Sequence, residues 1–141
     1  MQHFLPGKSC KMEKQFMKSS NYLLECCVDS AYSARMAKKG GADRLELCSN
    51  LVIGGTTPTL ALYEQIRNQT DIRIHVLIRP RFGDFLYSED ETALICKEID
   101  AFRAAGADGV VIGSLSPNGS LCTEQMKRFR EHARDMSVTL H

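Results

Sequence analysis

Residues 73–88 read R-I-H-V-L-I-R-P-R-F-G-D-F-L-Y-S, and this stretch decides the fold. Its first half alternates. Ile74, Val76 and Ile78 fall on one face of a strand, with Arg73, His75, Leu77 and Arg79 on the other, because side chains switch faces at every residue. Pro80 has no N–H to give to a ladder and stops the strand. A loop with Arg81, Gly83, Asp84 and Tyr87 follows, and Ser88 with Glu91 predicts a capping box that opens a helix. The strand thus delivers two arginines and an aspartate to its C-terminal end, where α/β folds carry their sites.

The same unit repeats on both sides. Upstream, 22–28 (YLLECCV) predicts a first strand. Ser30 caps a helix carrying Ala31, Ala34, Met36 and Ala37 that ends at Gly40-Gly41. A second strand covers 44–48 (RLELC), a loop covers 51–56, and Thr57-Pro58 reads as the cap and first position of a helix reaching Asn68. Downstream, a helix over 89–105 bears a mixed apolar stripe of Ala93, Leu94, Cys96, Lys97, Ile99 and Phe102. A fourth strand at 109–113, a loop at 114–121, a helix from Thr123 to Asp135 and a fifth strand at 137–141 complete the pattern.

Strict alternation in units of roughly 30 residues implies parallel strands joined by right-handed crossovers. Two α/β architectures fit, an open doubly wound sheet and part of a (β/α)8 barrel. A doubly wound sheet is covered by helices on both faces and is apolar on both. Here only one face is apolar: Leu24, Cys26 and Val28; Leu45 and Leu47; Ile74, Val76 and Ile78; Val138 and Leu140. The other carries Glu25 and Cys27; Arg44, Glu46 and Cys48; His75 and Arg79; Thr139 and His141. The expectation is therefore a partial TIM barrel of about four and a half units. After His141 no strand remains to meet the first, which leaves three readings: a piece of a longer chain, a homo-oligomer in which two copies cover the open edges, or a different fold.

Composition sets the broad class. The 141 residues are 43% hydrophobic and 25% charged with net charge +1, an ordinary globular balance that points to neither nucleic acid nor an anionic membrane. No apolar run approaches the roughly 20 residues of a membrane helix. Residues 1–21 are polar and basic and read as a flexible tail ahead of a domain at 22–141. The six cysteines come without a secretory h-region or a CxxC motif, so they are expected as reduced thiols in the cytoplasm.

The chemistry gathers on the polar face. Glu25-Cys26-Cys27 and Glu46-Leu47-Cys48 repeat one triplet, which would set Cys27 beside Cys48 with Glu25 and Glu46 one layer below. Two soft thiolates at close range suit Cu(I); two small buried side chains kept for packing are the alternative. Glu25, Arg44, Glu46, His75 and Arg79 would form a charge network, since unpaired charges inside a lumen are too costly. Arg79 and Arg81 have the fork geometry for a small anionic ligand. With Asp84 as base or partner, and Glu46 and His141 nearby, they are the candidate catalytic groups. A loop salt bridge from Asp84 to one arginine is the alternative for that part. Gly54, Gly55 and Gly113 mark places where backbone can come close to a ligand.

The runs L-L-E-C-C-V-D-S, G-G-A-D-R-L-E-L-C-S, G-G-T-T-P-T, I-R-P-R-F-G-D-F-L-Y-S, G-A-D-G-V-V-I-G and V-T-L-H together resemble the CutC copper homeostasis family over residues 23–141. The resemblance is to the N-terminal part of that family's chain, with Phe82 where the family usually has glycine. It implies a cytosolic TIM barrel engaged in copper handling, with Cu(I) held by Cys27 and Cys48. Two functions follow as expectations: a copper-binding homeostasis protein, or a barrel enzyme acting on a small anion through Glu46, Arg79, Arg81, Asp84 and His141.

Overall fold

In the computed structural model, which describes residues 22–141, the alternating stretch is strand β3 (Arg73–Leu77). It is the middle of five strands ordered β1-β2-β3-β4-β5, all parallel. The others are β1 (Glu25–Val28), β2 (Arg44–Leu47), β4 (Gly109–Ile112) and β5 (Ser137–Leu140). Between them run α1 (Ala31–Lys39), α2 (Leu60–Arg67), α3 (Glu89–Ala104) and α4 (Thr123–Ala133). The expected tail and Cys10 lie outside the described residues.

The strand order decides between the two architectures. A doubly wound sheet reverses direction at a switch point. Here each strand is added on the same side as the last, so right-handed crossovers bring every helix to one face. The opposite face is free to become a barrel interior. The chain forms part of a (β/α)8 barrel, open between β1 and β5 among the described residues.

Two apolar groups sit on the two faces. On the helical side Leu45, Leu47, Ile74, Val76, Val110 and Ile112 pack with Ala34, Tyr63, Ile66, Ile95, Ile99, Phe102 and Phe129. Burying each large aliphatic side chain contributes about 1.5–3 kcal/mol. On the lumen side Cys48, Leu77 and Val111 form a small second cluster with Leu51. The polar face expected from the sequence thus contains an apolar patch.

Local chemistry explains most element ends, while the starts of α2 and β1 and the stripe of α3 differ from expectation. The Ser88–Glu91 capping box is present, with the Glu91 N–H donating to Ser88 Oγ at 3.2 Å and the Ser88 N–H to Glu91 Oε2 at 2.8 Å. Ser30 makes a second box with Ser33. Helix α2 starts later than Thr57-Pro58: Thr59 is its cap, accepting from the Leu62 N–H at 3.2 Å. The Thr57 hydroxyl is occupied elsewhere, accepting from the Arg79 N–H at 2.9 Å and donating to Glu98 Oε2 at 3.0 Å. Strand β1 begins at Glu25, with Tyr22, Leu23 and Leu24 exposed before it. The buried stripe of α3 is Thr92, Ile95, Cys96, Ile99 and Phe102, with Leu94 turned outward. No described helix is long and apolar enough to cross a membrane.

Candidate functional site

The parallel register sorts the lumen face into rows. The lowest holds Glu25, Arg44 and Arg73, and the next Cys27, Glu46, His75 and Gly109. Cys48 follows the last paired residue of β2, its N–H donating to Val28 O at 2.9 Å.

This register corrects one expectation. Cys27 is paired with Glu46 and not with Cys48, so the two cysteines lie on a diagonal. Glu46 shares the row of Cys27, and the Cys48 thiol donates toward its Oε1 at 3.6 Å. Burial, then the Glu46 carboxylate, push the Cys27 thiol up. The same two causes in the same order push Cys48 up further. Both thiols are therefore held protonated around one carboxylate. Cys27 is exposed and Cys48 buried, while Cys26 packs against the helical side as expected.

The expected charge network divides into separate parts. Glu25 pairs with Arg44. His75, only 3% exposed, meets Thr139 Oγ1 through Nδ1 at 3.2 Å. Burial, then the nearby Arg44, hold its imidazole below the usual range. Arg79 is 6% exposed and donates from Nη1 to Gly54 O and Gly55 O, both at 3.1 Å, and from Nη2 to Gly83 O at 2.7 Å. Its guanidinium lies over the Phe85 ring at 4.8 Å, and its Nε is buried without a partner.

Arg81 belongs to the loop. It donates to Asp84 Oδ1 at 3.0 Å, Leu86 O at 2.8 Å and Glu91 Oε1 at 2.5 Å. The Leu86 N–H, then Arg81, hold the Asp84 carboxyl below its ordinary value. The loop salt bridge given above as the alternative for Asp84 is thus present. His141 packs edge-to-face on Phe85 with centroids 5.4 Å apart. Gly113 is needed for that approach, since a Cβ there would lie 2.4 Å from His141 O. Phe85 therefore sits between Arg79 and His141. Sequence reasoning missed this role of Phe85, and it missed the carbonyl clamp on Arg79. The Gly54-Gly55 pair was the available signal, with φ of 89° and 85°.

As a donor set the lumen offers two thiol sulfurs. The described residues contain no cluster of three or more His, Cys, Asp or Glu able to hold a metal ion. A pair of soft donors fits a soft ion of low coordination number and does not fit the oxygen-rich shells of hard cations.

Comparison with known proteins places this geometry. The CutC family matches residues 22–141. A CutC family protein of Bacteroides fragilis strain YCH46 is 46% identical over 122 residues, covering 86% of this chain and 49% of its own. The Mus musculus copper homeostasis protein cutC homolog is 38% identical over 141 residues, covering 96% and 52%. The chain spans about half the length of the curated relatives it matches. Among solved structures, CutC from Streptococcus agalactiae is similar with a TM-score of 0.79 and 28% identity, over 84% of this chain and 58% of that one. A proposed phosphonomutase from Burkholderia cenocepacia, at TM-score 0.58 and 22% identity over 84% and 53%, shares the fold alone. By its motifs, its register of parallel strands and its match along nearly the whole described length, the chain belongs to the CutC family.

Proposed function

We propose that this chain serves copper homeostasis in the cytosol and holds Cu(I) on Cys27 and Cys48. The observation that carries this reading is the placing of two thiols on one lumen face of adjacent strands, around the carboxylate of Glu46. Thiolate sulfur is the ligand a soft monovalent ion prefers. The protein's own residues supply the rest. Cys27 and Cys48 would supply the sulfurs, and Leu77, Val111 and Leu51 form the apolar wall on the Cys48 side. The relatives named for copper homeostasis and the unbridged state of all described cysteines support it.

The test is Cu(I) titration of the full chain against a competing chelator. Replacing both Cys27 and Cys48 by serine is expected to reduce bound copper to background, whereas Cys96→Ser and Cys122→Ser retain it. Unchanged stoichiometry in the double variant would refute the site. An enzyme acting on a small anion through Glu46, Arg79, Arg81, Asp84 and His141 is the second reading, and the geometry supports it less. The guanidinium donors of Arg79 and Arg81 are directed at carbonyls and carboxylates of the protein itself.

A further inference from the structure

Cys48 is 1% exposed, although it sits on the lumen side and its diagonal neighbour Cys27 is open. The helical layer does not cover it, because Cys48 belongs to the small lumen cluster. What covers it is the turn after β2. A short 3-10 turn, Leu51–Ile53, leads into Gly54 and Gly55, both at positive φ. A Cβ at Gly55 would lie 2.7 Å from Leu77 Cδ2 and 3.7 Å from Cys48 Sγ. Bare backbone therefore packs on Leu77 beside the thiol, and only glycine allows so close an approach to that side chain.

The turn is anchored differently at its root and at its tip. The root is tied by the Ser49–Thr56 bridge, at 2.9 and 2.8 Å, and by Asn50 Nδ2 donating to Thr56 Oγ1 at 2.8 Å. The outer side of the turn is not packed, with Val52 100% and Ile53 49% exposed. The tip is held by Arg79, whose Nη1 takes both glycine carbonyls while Nη2 ties the same guanidinium to Gly83 in the β3–α3 loop. A segment with little buried apolar surface opens at low cost once its hydrogen bonds are lost.

We propose that Arg79 is a positioning residue, the latch that holds the Gly54-Gly55 turn closed over the Cys48 thiol and so sets access to it. A guanidinium suits this task because its planar fork reaches three carbonyls at once, while a lysine ammonium of equal charge cannot span them. For copper, which rests on the function proposed above, the latch sets how fast a soft ion reaches its buried ligand.

The test needs no metal. The full chain is pulsed with iodoacetamide, and labelling of each cysteine is followed by mass spectrometry. In the unaltered protein Cys27 labels while Cys48 and Cys96 are protected. In Arg79→Lys, labelling of Cys48 is expected to rise at least about tenfold, because a charge-assisted hydrogen bond is lost and the opening equilibrium shifts accordingly. Cys96, on the buried face of α3 and 5% exposed, should stay at its original rate. Gly55→Ala, which forces the turn off Leu77 while the Arg79 side chain is kept, should expose Cys48 alone in the same way. An unchanged Cys48 in Arg79→Lys overturns the latch. So does a joint rise of Cys48 and Cys96, which would make Arg79 a support of the whole fold. Failure of Cu(I) to bind leaves this labelling contrast standing, so the two proposals fail separately.

Discussion

At the scale of single residues, the joint between β3 and α3 turns on one carboxylate that the sequence pattern did not single out. Glu98 faces inward from α3 and accepts from the Thr57 hydroxyl, which in turn accepts from the Arg79 N–H. Burial pushes the Glu98 carboxyl above its ordinary 4.5, and the Thr57 hydroxyl offsets part of that. The folded state therefore binds this proton more tightly than the unfolded chain. Its contribution to stability is fully present below pH 4.5 and is lost as pH rises through the raised value. At neutral pH the ionised group costs stability, so Glu98→Gln, which keeps an acceptor for Thr57, should raise the urea midpoint at pH 7 and flatten the slope just above pH 4.5. A lower midpoint at pH 7 would mean that the carboxylate charge is used favourably here. The same cluster shows why site residues were only partly legible. That Arg79, His75, Glu46, Cys27 and Cys48 share a face follows from a period of two. That the Arg79 donors meet backbone carbonyls does not, because carbonyl positions depend on the path of two loops.

At the scale of elements, α3 is the best-specified helix, and its N-terminus is also a structural corner. Ser88 and Glu91 exchange hydrogen bonds, while Glu91 Oε1 accepts from Arg81. The Ser88 N–H, then Arg81, hold the Glu91 carboxyl below its usual range. Ser88→Ala should lower stability by about 1 kcal/mol, the usual cost of a lost cap. Urea denaturation should show a lower midpoint at unchanged slope; an unchanged midpoint would assign the corner to Arg81 and Glu91 alone. This cap was readable because its partners are three residues apart. The start of α2 was not, because Thr57 and Thr59 are equally good caps in sequence and the choice is made by Arg79 and Glu98 from outside the segment. The register of β1 on β2 was hidden for the same reason. The repeated Glu–x–Cys triplet suggests alignment in step, yet the crossover sets Cys27 against Glu46.

At the scale of the molecule, five parallel strands in sequential order leave β1 and β5 each with one unpaired edge among the described residues. The barrel architecture was legible because one face of β1, β2, β3 and β5 is apolar while the charged groups gather on the other; the lumen patch of Leu77 and Val111 was not. Parallel edges with free N–H and C=O groups template further pairing, and β5 adds apolar surface on its helical side, with Val138 37% and Leu140 60% exposed. The polypeptide by itself is therefore expected to sediment as species larger than monomer, with the fraction rising with concentration. Leu140→Lys places a charge on that edge strand, a device by which edges resist pairing. It should shift the distribution toward monomer without loss of helical signal, because Leu140 is already mostly exposed and its removal leaves no cavity in the core. A chain that sediments as monomer at every concentration would show that its twist and charges already protect both edges. A Leu140→Lys chain that associates as strongly as the original would place the contact on the backbone edges alone and remove the apolar face of β5 from the account.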